Sequence, residues 1–100
     1  MNKFCLTLIC APEIEEKLLD TLLVEVEDAV FTSAPTFSHG ATPNRLSNAE
    51  QVMGRSRAVQ IQIIVAEDAL SGLTALLRQG FQGTGLRYWV TALHTEGYVL

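Results

Sequence analysis

The sequence predicts an α+β domain in which a four-stranded antiparallel sheet carries two helices on one face. Three observations predict it. Apolar residues alternate strictly at 3–10 and 57–66, two stripes of helical period lie at 12–26 and 67–78, and the elements run strand, helix, strand, strand, helix, strand. With 100 residues and 11.0 kDa there is room for one hydrophobic core, so residues 1–100 are expected to form a single domain.

The first strand is read from Phe4, Leu6, Leu8 and Cys10, which alternate with Cys5, Thr7 and Ile9. One face is strongly apolar and the other is not very polar. Pro12 can open a helix without wasting an N–H, and Glu13, Glu15 and Glu16 suit the positive end of its dipole. Ile14, Leu18, Leu19, Leu22, Leu23 and Val26 form one apolar stripe, with Glu16, Asp20 and Glu27 facing water. A second strand is expected within Ala29 to Phe37, where Pro35 marks a strand end or a sheet edge because it cannot donate to a ladder.

Ser38 to Gly54 has no clean period and holds Gly40, Pro43 and Asn44. Its 17 residues exceed the length of ordinary connections, and such loops are usually functional or disordered. Ser47 and Glu50 stand at capping-box spacing for one helical turn. Val59, Ile61, Ile63 and Val65 then alternate with Gln60, Gln62 and Ile64 in a long, central-looking strand over Arg57 to Ala66. The second helix runs over Glu67 to Arg78 on a stripe of Ala69, Leu70, Leu73, Leu76 and Leu77, and Gly80 is placed to end it. Gly83-Thr84-Gly85 makes a tight turn into a last strand at Leu86–His94, and Glu96-Gly97 turns into the tail Tyr98-Val99-Leu100.

A split βαβ order of this kind corresponds to the ferredoxin-like fold. Its second sheet face has no layer to cover it, yet carries Cys5, Ile9 and Ile64 among polar residues. A domain of this size buries only about 60–70% of its unfolded surface, so an uncovered apolar face predicts a homo-oligomer.

Composition narrows the function. Apolar residues make up 48% of the chain and charged ones 18%, a globular balance. A net charge of −4 argues against a general nucleic-acid binder and against a polybasic membrane anchor. No apolar run approaches the roughly 20 residues of a membrane span, and the start of the chain reads as a strand and not a signal peptide. Cys5 and Cys10 are five positions apart in an extended run. That puts them on opposite faces and about 17 Å apart, too far for a disulfide, so a reducing, cytoplasmic compartment is expected.

Four short stretches carry a family resemblance: Leu18-Leu19-Asp20-Thr21-Leu22-Leu23, Ser38-His39-Gly40, Glu50-Gln51-Val52-Met53-Gly54-Arg55 and Tyr88-Trp89. With the element order they make the chain resemble the P-II-like superfamily, which includes nitrogen-regulatory P-II proteins and divalent-cation-tolerance proteins. The nearest likeness is to an uncharacterised P-II-like bacterial group often encoded beside heavy-metal efflux pumps. The resemblance implies a trimer with its sheets facing inward. It also implies a mobile loop at 38–54 that contacts a partner, with His39, Gly40, Arg45 and Glu50 on it, and small ligands, typically adenine nucleotides, between subunits. The implied partner is a membrane transporter or another regulated protein. Gly54-Arg55 resembles the glycine-arginine element at the loop's base, and Gly83-Thr84-Gly85-Leu86-Arg87-Tyr88 resembles the phosphate-holding turn, with Arg87 as its basic residue. The pattern departs at the loop, which lacks the tyrosine modified in some nitrogen regulators. It departs also after Leu100, where signalling members continue with two further phosphate-binding arginines, so the full set of ATP contacts is not carried over.

Charge patterning bears on the same residues. Positions 13–28 hold seven acids and one lysine, whereas 38–57 hold Arg45, Arg55 and Arg57 against Glu50 alone. Arginine forks match phosphate and carboxylate, and glycines let backbone N–H groups approach an anion. Gly54, Arg55, Arg57, Gly83, Gly85 and Arg87 therefore make a candidate anion cleft if subunits bring them together; the alternative is solvated arginines beside ordinary turn glycines. His39 and His94 could share a weak metal site across subunits, as in a metal-responsive protein, or be a hinge and a surface residue. Neither they nor the cysteines show structural-zinc spacing. Either Trp89 or Tyr88 must face the open side of the sheet, to pack between subunits or to stack on an adenine. No acid orients His39 near Ser33, Thr36 or Ser38, and no nucleophile turn precedes them, so no catalytic residues and no enzyme are expected. A ligand-free interaction module is the remaining reading.

Overall fold

The computed structural model describes residues 2–40 and 55–100. Strand β1 (Lys3–Cys10) leads through a 3-10 turn at Pro12–Ile14 into helix α1 (Glu15–Glu25). Strands β2 (Phe31–His39) and β3 (Arg55–Ala66) follow, then helix α2 (Glu67–Gly80) and strand β4 (Arg87–Ala92). The sheet is antiparallel throughout, in the order β2-β3-β1-β4. This is the four-stranded, two-helix ferredoxin-like arrangement that the element order predicts.

Register divides the side chains into two sets. Leu6 pairs with Ile63 and Val90, and Leu8 with Ile61 and Tyr88, so these residues share the face beneath the helices. Leu6, Leu8, Ile61 and Ile63 are fully buried there, against Leu18 and Leu22 of α1 and Leu73, Leu77 and Phe81 from α2 and its end. Each such side chain contributes about 1.5–3 kcal/mol of transfer free energy. The two helices start without a side-chain cap, and first-turn carboxylates (Glu15 and Glu16; Glu67 and Asp68) face their positive ends instead.

Several expectations are corrected. Leu23 does not belong to the core stripe: it is 59% exposed, whereas Leu18 and Leu22 are buried. At about 100° per residue Leu23 lies about 140° round from Leu18, past the edge of the buried sector. In α2, Ala69 is likewise exposed, and Gly80 is the helix's last residue, with Phe81 following as its C-cap. Leu86 and His94 fall just outside β4. Of the two readings of Pro35, the sheet edge holds and the strand end does not: it sits inside β2, which is an edge strand. The strands flanking the middle connection are longer than expected, since β2 takes in Ser38 and His39 and β3 starts at Arg55. The capping box at Ser47 and Glu50 lies outside the described residues.

Because β1 stops at Cys10, opposite Val59, the pairs from Thr36–Ala58 to His39–Arg55 continue as a two-stranded arm beyond the body of the sheet. Four residues carry this arm about 13 Å out. Two-stranded ribbons are marginal alone. Here the Arg55 guanidinium lies 4.2 Å from the centroid of the Phe37 ring, tying the strands together across a diagonal.

Candidate functional site

The turn Gly83-Thr84-Gly85 is shaped by its glycines, at φ of 76° and 80°, in the left-handed region. Thr84 holds it closed: its hydroxyl donates to the Phe81 carbonyl at 2.6 Å and accepts from the Leu86 N–H at 3.2 Å. Beside the turn is a cleft of about 410 Å³ lined by Leu77, Arg78, Phe81, Gln82, Leu86 and Tyr88 together with the two glycines. Arg78, in the last turn of α2, donates from Nη2 to the Tyr88 hydroxyl at 2.6 Å. Lys17 approaches from α1, donating to the Gly80 carbonyl at 3.2 Å and lying 4.9 Å from the centroid of Phe81.

Within one chain the described residues of the expected anion cleft do not all converge. Arg87 pairs with Ile9 on the open face and lies 5.5 Å from the Trp89 ring centroid. Arg55 and Arg57 stand on the other side of the sheet, on the arm. Counting through the register, Arg55 and Arg87 are about 17 Å apart along the strands and about 10 Å across them. Gly85 stands two residues before Arg87, so the turn adjoins Arg87 and not the arm. Gly54, Arg45 and Glu50 lie outside the described residues, while His39 and Gly40 stand at the arm's tip, exposed. The side chain that accompanies the glycine turn is Arg78, which the sequence marks only as the expected end of the second helix. Its signal was the ten-residue spacing to Tyr88, which becomes meaningful only once the turn reverses the chain.

His39 pairs with Arg55 at one end of the sheet, and His94 follows β4 at the other, more than about 30 Å away by strand rise. One chain thus brings them to no common site, and among the described residues no three His, Cys, Asp or Glu groups are placed to hold a metal ion. Cys5 and Cys10 are both free thiols. Burial, assisted by Glu15 and then Glu13, pushes Cys10 up to about 11.

The open sheet face is set by Cys5, Thr7 and Ile9 in β1, Gln60, Gln62 and Ile64 in β3, and Arg87, Trp89 and Thr91 in β4. Trp89 is therefore the outward aromatic and Tyr88 the inward one. Thr7 is buried between its register partners Gln62 and Trp89, and the Gln62 amide donates to its hydroxyl at 3.4 Å. Ile64 and Trp89 remain 40% and 42% exposed. Among the described residues no helix is long and apolar enough to cross a membrane.

No curated protein matches the chain. Solved structures do. A DUF3240 family protein from Shewanella baltica OS155 superposes with a TM-score of 0.79 at 18% identity, covering 100% of this chain and 99% of that one. CPII from Thiomonas intermedia K12, a nitrogen regulatory PII-like protein solved with ADP, AMP and bicarbonate, gives 0.74 at 14% identity, over 99% and 98% of the two chains. A putative PII-like signalling protein from Thermus thermophilus gives 0.68 at 13% identity, over 93% and 87%. At these identities the likeness establishes a shared PII-like fold. The family described as "Protein of unknown function (DUF3240)" matches residues 1–100, and the chain belongs to it.

Proposed function

We propose that this protein is a PII-like regulatory or adaptor protein that works as a trimer. Its open sheet faces would meet at the centre, and a small anionic ligand, with adenine nucleotides as the first candidates, would lodge at the seams between subunits. The ligand would alter contact with a partner through the 38–54 loop. A membrane transporter, such as a metal-efflux pump, or another regulated protein is the partner class that the family resemblance suggests. The observation that carries the reading is the match of fold over 99% of the chain to a PII-like protein solved with ADP and AMP. The exposed Ile64 and Trp89, on a face that the described residues leave uncovered, add support for assembly.

Regulation of this kind needs the ligand to bind one loop state more tightly than the other, by about 1.4 kcal/mol for each tenfold shift. The arm offers a mechanical route, since β2 and β3 run directly from the sheet into the loop. No catalytic step is part of the proposal.

Calorimetric titration with ATP, ADP and AMP, followed by copper and zinc, tests it. Saturable binding of at least one nucleotide is expected. Absence of nucleotide binding at millimolar concentration, with a metal bound instead, would overturn the reading in favour of a metal-responsive protein.

A further inference from the structure

A groove of about 520 Å³ lies between α1 and α2. Asp20, Val24 and Glu25 form its α1 bank, Leu76 stands opposite on α2, and Phe81 follows at the end of that helix. With Lys17, the α1 residues are spaced by three, four or one, so they share one side of the helix. It is not the side that serves the core, which uses Leu18 and Leu22. Val24 is 80% exposed and its neighbour Leu23 59%, two aliphatic side chains that the fold leaves in water.

The rim of the groove is acidic. Positions 13–28 hold seven acids and a single cation, Lys17. That cation is already engaged, donating to the Gly80 carbonyl and lying 4.9 Å from the centroid of the Phe81 ring. Asp20 and Glu25 form no ion pair among the described residues. An apolar strip between unpaired carboxylates fits an occupant with the opposite charge on either side of an apolar anchor. A second copy does not fit, because like surfaces would bring the same acids face to face. The tail Tyr98-Val99-Leu100 is exposed and apolar, but the charge nearest to it in sequence is the Glu96 carboxylate. Anionic lipid and nucleic acid carry the wrong sign as well.

We infer that the groove between α1 and α2 is a docking surface for a basic amphipathic helix of another protein. Apolar side chains of that helix sit between Val24 and Leu76, and its Lys or Arg side chains meet Asp20 and Glu25. From Lys17 to Glu25 the bank is about 12 Å long, two turns, which suits anchors one and two turns apart on the incoming helix. The surplus of acids along α1 draws such a segment in from a distance. The groove lies on the helix side of the sheet, away from the open face and the 38–54 loop, so the inference goes beyond the reading above and does not depend on it.

The probe is a synthetic leucine-lysine peptide of about 14 residues, with its leucines on one face of the helix. Its controls are the same residues ordered to spread the leucines evenly round the helix, and a leucine-glutamate counterpart. Titration into the native protein, followed by backbone amide chemical shifts, should show saturable binding with the largest shifts at Thr21, Val24 and Gln79, and both controls should bind at least about tenfold more weakly. Asp20→Asn with Glu25→Gln should weaken the peptide about fivefold, and Val24→Ser about threefold. All three side chains are exposed, so the amide spectrum elsewhere should not change. Thr95→Lys with Gly97→Lys alters net charge by the same two units in the tail and should shift affinity less than about twofold. The inference fails if the native protein does not bind the peptide at millimolar concentration, or if the largest shifts fall outside the groove. It fails equally if the evenly spread peptide binds as well, if Val24→Ser leaves affinity unchanged, or if the tail variant weakens binding as much as the groove variant does.

Discussion

The two faces of the sheet are built by alternate residues of the same strands, yet they reach different ends. On one, Leu6, Leu8, Ile61 and Ile63 have no exposure at all beneath α1 and α2. On the other, Thr7 is buried among its own neighbours while Ile64 and Trp89 keep about two-fifths of their surface in water. The covered face is apolar at its centre and is completed within the chain. The open face mixes Cys5, Ile9, Ile64 and Trp89 with Thr7, Gln60, Gln62 and Arg87, a composition closer to an interface than to a core or to a solvated surface. The difference teaches that one layer can complete its core on one side and, on the proposed reading, leave assembly to the other.

The largest effect is expected on the covered side. Leu8→Ala removes a side chain packed between β3, β4 and the helices, and should cost about 2–5 kcal/mol of unfolding free energy in urea. A loss below about 1 kcal/mol would mean that this face is not the core. On the open side, Trp89→Ala should leave the helical and strand signals of circular dichroism intact while weakening assembly by about 2 kcal/mol or more, read as dissociation on dilution. Equal destabilisation of the isolated protomer by both variants would erase the distinction.

Cys10 sharpens the comparison through pH. It lies on the covered face, where burial first and the Glu15 and Glu13 carboxylates second raise its thiol from 9.0 to about 11. The unfolded chain releases this proton above about pH 9, and the folded one holds it until about pH 11. The contribution is therefore present below pH 9 and is lost as pH rises through that window, by an amount on the order of 2 kcal/mol. Cys10→Ala should flatten this part of the stability curve, and an unchanged slope would contradict the assignment. The smallest effect concerns the turn. Gly83→Ala meets no atom within 4 Å, so its cost of about 1–2 kcal/mol would come from the positive φ alone.

Where side chains carried the information, the fold was legible. The alternation through Val59, Ile61, Ile63 and Val65 and the pair Gly83 and Gly85 marked a strand and a turn that the structure contains. The arm was not legible, because Ser38, His39, Arg55 and Ser56 extend the ladder by backbone pairing, which leaves no apolar period in the sequence. Leu23 misled because a stripe drawn by residue type does not show how far round a helix the neighbouring sheet reaches. The site was only partly legible. The glycines of the turn were singled out, but Arg87 points to the opposite face, and Arg78 reaches the turn only through the reversal between α2 and β4.

The central claim, that copies of this chain cover one another's open sheet face, is tested most directly by the mass of the native protein in light scattering. The account predicts about 33 kDa, three chains of 11.0 kDa, falling toward one chain in Trp89→Ala. A stable native species of 11.0 kDa would contradict it.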